Sequence, residues 1–187
     1  MKIKEKKIKG TYEIILDPHE DHRGFFMRTY DDQILKKHNL NNTWVQENHS
    51  YSKMKGTLRG MHFQFPPYAE TKIVRAVSGE IFMAFVDLRK NSKSFGKWDS
   101  IILSRENKKM LYVEKGIALG MYTLTNDCDL LYKMGNYYKP DKQGSIKWDD
   151  PDIKINWPIK GKPIVSEKDA SAVSFKEFIK KYDSIEV

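Results

Sequence analysis

The residues best suited to chemistry lie in Leu58-Arg59-Gly60-Met61-His62-Phe63-Gln64-Phe65-Pro66-Pro67. Read as a strand with alternating side chains, this stretch puts Leu58, His62 and Gln64 on one face and Arg59, Met61, Phe63 and Phe65 on the other. A histidine titrates near neutrality and can accept or return a proton there. Alone on a strand it is more often structural, so its company decides. A metal site in a small barrel would want a second histidine two residues on, and that place is Gln64; His19, His22, His38 and His49 fall in loops, a helix or a different strand. No metal is expected. Cys128 is the only cysteine, which excludes an intramolecular disulfide and any Cys-cluster site, and fits a reducing, cytoplasmic setting.

The elements around this stretch read as strands. Short runs rich in β-branched and aromatic residues, bounded by turn residues, occur at Thr11–Leu16, Phe25–Tyr30, Thr43–Tyr51, Thr57–Phe65, Lys72–Val77, Glu80–Leu88, Ser100–Leu103, Met110–Val113, Ile117–Leu124 and Leu130–Met134. Their spacing predicts an all-β sandwich or barrel rather than alternating β/α units. Two helices are expected at the periphery. Asp31–Asn39 opens on acids and closes on Lys36, Lys37 and His38, in keeping with the helix dipole. The other opens at Ser174 with Glu177 three residues on, a capping-box spacing, and carries Phe175, Phe178, Ile179 and Tyr182 on one face.

At 187 residues the chain fits one domain spanning 1–187. Hydrophobic residues make up 40 %, enough for a core, and the longest apolar run, Ile81–Val86, is far too short to span a membrane. The basic start MKIKEKKIKG has no apolar stretch behind it, so no secretion signal is expected. Thirty-three Lys and Arg against twenty-five Asp and Glu leave a net charge of +8. The lysines are scattered among acids, with no run longer than two and no nucleic-acid motif, so the charge reads as a solvated surface and no nucleic-acid or membrane partner is expected.

The order and spacing of several motifs carry more. Asp21-His22-Arg23-Gly24-Phe25-Phe26, Gln46-Glu47-Asn48-His49-Ser50, Leu58–Gln64, Lys72-Ile73-Val74-Arg75, Val86-Asp87-Leu88-Arg89, Ser94–Trp98, Tyr132-Lys133, Tyr137-Tyr138, Trp148–Pro151 and Ser166–Asp169 run through some 150 residues. On these the chain resembles the dTDP-4-dehydrorhamnose 3,5-epimerase family of 4-keto nucleotide-sugar epimerases. The resemblance implies a cupin jelly roll, no cofactor, a nucleotide-diphosphate sugar as substrate, a homodimer, and a place in surface polysaccharide synthesis (capsule or lipopolysaccharide). It implies His62 as the base, Asp169 as its carboxylate partner, Tyr132 as the acid on the opposite face and Lys72 as the cation near the C4 oxygen. Arg23 and Arg59 match diphosphate-binding positions, the Arg23 segment, with Phe26, often being lent by the neighbouring subunit. Gln46, Asn48 and Tyr138 match the nucleotide end, and Lys168 falls beside Asp169.

Three departures bear on the substrate. Arg28 stands where the family usually has glutamate, which reverses the hydrogen-bonding demand on the base and favours a GDP-sugar, since guanine offers O6 and N7 as acceptors. Leu119 replaces a histidine near the sugar, and Gln143 replaces a glutamate. The expectation is an epimerase acting at C3 and C5, or C3 alone, of a 4-keto-6-deoxy hexose or heptose. A 3,4-ketoisomerase and a non-catalytic nucleotide-sugar-binding cupin stand as alternatives.

Overall fold

The computed structural model describes residues 1–41 and 43–187. The strands are β1 (Lys2–Glu5), β2 (Thr11–Ile15), β3 (His19–Asp21), β4 (Gly24–Phe26), β5 (Gln46–Ser52), β6 (Thr57–Gln64) and β7 (Lys72–Ser78). They continue as β8 (Glu80–Asp87), β9 (Trp98–Ser104), β10 (Lys109–Val113), β11 (Ile117–Thr123), β12 (Cys128–Met134), β13 (Gln143–Ser145) and β14 (Ile164–Val165). The helices are α1 (Asp32–Lys37), α2 (Glu167–Ala170) and α3 (Phe175–Tyr182).

One sheet has the order β1-β2-β10-β7-β12-β5, and the other β13-β6-β11-β8-β9 with β14 parallel to β6. They form the jelly-roll sandwich expected of a cupin. Alternation fills the space between them: Val74 and Ala76 from β7, Ile81, Met83 and Phe85 from β8, Leu111 and Val113 from β10, and Leu130 from β12 form one buried cluster. The outer faces are also covered. Ala84 and Val86 of β8 pack under Phe175 and Phe178 of α3, while Ile14, Ile73 and Tyr112 pack against Leu35 of α1. Burial on both faces is why Ile81–Val86 is apolar without a break.

Both expected helices form. Asp31 caps α1 by accepting from the N–H of Gln33 and Ile34, and Ser174 with Glu177 completes a capping box on α3. Other boundaries differ from the sequence pattern. Phe25–Tyr30 is a strand only through Phe26, where β4 pairs with β3 in a separate two-stranded hairpin. Thr43–Tyr51 becomes strand only at Gln46. The polar edge strand β1 and the short β13, β14 and α2 escape pattern reading, because they hold little apolar periodicity and are set by their neighbours.

Candidate active site

A cavity opens between the two sheets, walled by β6 and β11 on one side and β7 and β12 on the other. Arg59, His62, Lys72, Leu119, Tyr132, Tyr138 and Gln143 line it, together with Glu70 and the apolar Val74, Met83, Met121 and Leu130.

Simple alternation sets Arg59 and His62 on opposite faces of β6, yet both line this cavity. The register explains it. Leu119 of β11 pairs with His62 and Met121 with Arg59, so three residue steps on β6 oppose two on β11. The extra residue is a bulge, and it returns Arg59 to the face that holds His62. Gly60 sits inside it at φ +128°, where a Cβ would stand 2.5 Å from the Cα of Gly120. Only glycine fits there.

The bulge also serves His62. Its Nε2 lies 2.6 Å from Oδ1 of Asp169, whose side chain is 5 % exposed, and the N–H of Gly60 donates to Oδ2 of the same carboxylate at 3.3 Å. Asp169 is positioned by α2, where Ser166 caps the helix by accepting from the Asp169 N–H. Burial pushes the Asp169 carboxyl up, but the hydrogen bond and charge of His62, the Gly60 N–H and the Ser166 hydroxyl outweigh it and hold the group below the usual carboxylate range. An ionised carboxylate only accepts hydrogen bonds. In the neutral ring of His62 the proton therefore lies on Nε2 and the lone pair on Nδ1.

Tyr132 lies on β12 in the facing sheet, in register with Val74 of β7 and Asn48 of β5. Burial raises its phenol above the ordinary value; the positive charge of Arg59 opposes this, and Glu70 and Tyr138 add to it. The hydroxyl thus keeps its proton through the range in which an imidazole titrates. Lys72 opens β7 with a side chain 13 % exposed, and its Nζ lies 2.6 Å from Oε1 of Glu70, itself 3 % exposed. Glu70 was not among the expected site residues; its signal was a carboxylate two positions from Lys72 in a segment otherwise apolar or neutral.

At the mouth, the Tyr138 hydroxyl donates to Oε1 of Gln143 at 2.8 Å, and Nζ of Lys168 donates to the same oxygen at 2.6 Å. Gln46 accepts from the Tyr138 N–H at 2.5 Å and Asn48 reaches the Met134 sulfur at 3.2 Å; on β5 both share a sheet face with their register partners Met134 and Tyr132, beside the lining. Arg59 donates through Nη2 to the backbone carbonyl of Tyr51 and through Nε to the Ser52 hydroxyl, which anchors its exposed guanidinium to β5 at the rim.

Three expected nucleotide contacts are not at this cavity within the chain. Arg23 is held by Asp21 at the tip of the β3–β4 hairpin with its side chain 79 % exposed, and Phe26 is 72 % exposed on the same hairpin. Arg28 pairs with Asp31 at 2.8 Å and borders a separate surface cleft with His19, Phe26 and Ile34. Among the described residues the β3–β4 hairpin, which carries Arg23 and Phe26, pairs with neither large sheet. Among the described residues no group of three or more His, Cys, Asp or Glu could hold a metal ion, and no helix is long and apolar enough to cross a membrane.

The family model described as dTDP-4-dehydrorhamnose 3,5-epimerase matches residues 5–177. The enzyme of that name from Salmonella typhimurium is 45 % identical over 162 residues, 85 % of this chain and 88 % of that one. The crystal structure of a dTDP-4-dehydrorhamnose 3,5-epimerase from Elizabethkingia anophelis is 38 % identical with a TM-score of 0.90, covering 95 % of this chain and 97 % of that one. A dTDP-6-deoxy-D-glucose-3,5-epimerase from Legionella pneumophila, solved in complex with dTDP-4-keto-L-rhamnose, is 36 % identical with a TM-score of 0.88 and covers 92 % of each chain.

Proposed function

This chain belongs to the dTDP-4-dehydrorhamnose 3,5-epimerase family, and from that premise we propose that it inverts C3 and C5 of a dTDP-linked 4-keto-6-deoxy sugar. The observation that carries the proposal is the His62–Asp169 pair facing a protonated Tyr132 across one cavity. The C4 ketone acidifies the neighbouring C–H bonds. Nδ1 of His62 removes the proton from C3, and the electron pair moves into an enolate whose charge gathers on the C4 oxygen. Lys72 stabilises that oxygen electrostatically. Tyr132 then delivers its proton to the opposite face of the same carbon, which inverts the centre. His62 returns its proton to solvent, the tyrosinate regains one, and the cycle repeats at C5.

The nucleotide reading is revised from GDP to dTDP. Guanine was expected because of Arg28, whose guanidinium is already engaged by Asp31 at 2.8 Å. The relatives named above, at 36–45 % identity, carry dTDP-sugar names. Arg59 at the rim and Lys168 near it supply cationic donors for a diphosphate. Arg23 and Phe26 join the site of a second copy in a homodimer, a reading supported by their exposure on a hairpin that, among the described residues, pairs with neither large sheet.

Incubation with a dTDP-linked 4-keto-6-deoxyhexose in deuterated water tests the reaction. Deuterium at both C3 and C5 is expected, label at C3 alone reduces the activity to a 3-epimerase, and no label overturns the enzyme reading. Calorimetry with dTDP and GDP side by side tests the nucleotide, and tighter binding of GDP overturns that choice.

A further inference from the structure

Lys72 is not free to act alone. Its ammonium sits in a wall where little water reaches it, and an ion taken out of water needs a compensating partner. That partner is Glu70. The two oxygens of this carboxylate are divided: Oε1 lies 2.6 Å from Lys72 Nζ, and Oε2 accepts from Nε2 of Gln64 at 3.1 Å. Gln64 is in turn fixed by its surroundings: its Nε2 shares its two protons among Glu70 Oε2 and the carbonyls of Tyr68 at 2.9 Å and Tyr137 at 3.2 Å, and its Oε1 accepts from the N–H of Lys139 at 2.6 Å. These contacts run without a break from the end of β6, through Glu70, to the first residue of β7 and to the segment that carries Tyr138.

We propose that Glu70 is the positioning residue of this reaction: through Gln64 it locks the Lys72 ammonium at one point of the cavity wall, so that the cation is in place before the enolate forms. The proposal rests on the epimerase reading above. An ammonium has three donors, and Glu70 takes one, leaving the others for the substrate's C4 oxygen. Electrostatic stabilisation of a developing charge works only when the donor is already aimed, because reorganisation during the reaction would consume the gain. A lysine on a flexible four-carbon stem cannot aim itself. The carboxylate is buried and held from two sides, so it can.

Glu70 acts through Lys72, which makes the proposal testable by a thermodynamic cycle. Wild type, Glu70→Gln, Glu70→Asp, Lys72→Met and the double variant Lys72→Met/Glu70→Gln are compared with a dTDP-linked 4-keto-6-deoxyhexose, after melting curves establish which are folded. Glu70→Gln is expected to lower kcat about tenfold or more with KM changed less than about threefold, since misaiming a group costs transition-state rather than ground-state binding. Glu70→Asp, which keeps the charge, is expected to recover part of the loss. In the Lys72→Met background, adding Glu70→Gln is expected to cost nothing further.

Equal losses in both backgrounds, or a rise in KM with kcat untouched, would overturn the positioning role. If Lys72→Met does not fold, the split between kcat and KM and the aspartate recovery decide the matter on the folded Glu70 variants. Label incorporation by the wild type separates the two levels. A wild type that exchanges no deuterium sinks the epimerase reading itself, whereas an exchanging wild type with additive variants sinks only the role of Glu70.

Discussion

The Nε2 of His62 lies 2.6 Å from Oδ1 of Asp169, although 107 residues separate them along the chain. The carboxylate is buried, ionised and shared with the N–H of Gly60, so it fixes both the tautomer and the orientation of the ring. A base with a settled tautomer is the requirement for removing a weakly acidic C–H proton at neutral pH.

Removing the ring or its orienting partner should stop proton removal. His62→Ala is expected to abolish incorporation of solvent deuterium, and Asp169→Asn to lower kcat by about 10²- to 10⁴-fold, the range usual for a general base. Mass spectrometry of the recovered sugar nucleotide reads both. Exchange by His62→Ala at the wild-type rate would assign the base elsewhere.

Tyr132→Phe should separate exchange from inversion. His62 can remove a proton and return a deuteron to the same face, so label should still enter while the configuration is retained. Proton NMR of the product distinguishes this from inversion. Inversion at the wild-type rate would exclude Tyr132 as the donor.

The acid limb of stability should depend on Asp87. Its side chain is fully buried, which pushes the carboxyl up, yet hydrogen bonds from Arg89, Ser92 and Ser94 hold it below the usual range. A carboxyl whose value is depressed on folding contributes stability that is complete above its unfolded value of about 4 and is lost as pH falls through the folded value. Asp87→Asn is expected to cost about 3 kcal/mol at pH 7 by leaving Arg89 uncompensated. Urea denaturation at pH 7 and below pH 4 should show the gap to wild type narrowing in acid. A gap constant with pH would refute the linkage.

Gly60→Ala should damage fold and site together. The left-handed φ and the contact with the Gly120 backbone each oppose a side chain, and a destabilisation of about 2 kcal/mol or more is expected. Any folded fraction should have lost the alignment of His62, read as slower deuterium exchange per folded molecule. Unchanged melting and exchange would mean that the bulge relaxes without cost.

The strands of the sandwich were legible because their apolar residues alternate or run continuously, which local pattern alone encodes, and the helix caps Asp31 and Ser174 were legible because capping is a contact over three residues. The chemical types at the site were legible from the motifs around His62, Lys72, Tyr132 and Asp169. Their geometry was not. Alternation put Arg59 and His62 on opposite faces of β6, and only pairing with β11 absorbed the extra residue that brings them to one cavity. The pairing of Glu70 with Lys72 was not legible because it depends on burial, and neither was the surface position of Arg28, which lies on the segment after β4 and pairs with Asp31. Local pattern specified the main strands, the helices α1 and α3, and the groups available for chemistry. Register, burial and long-range contact belong to the assembled sheets, because they arise between segments that no local pattern relates.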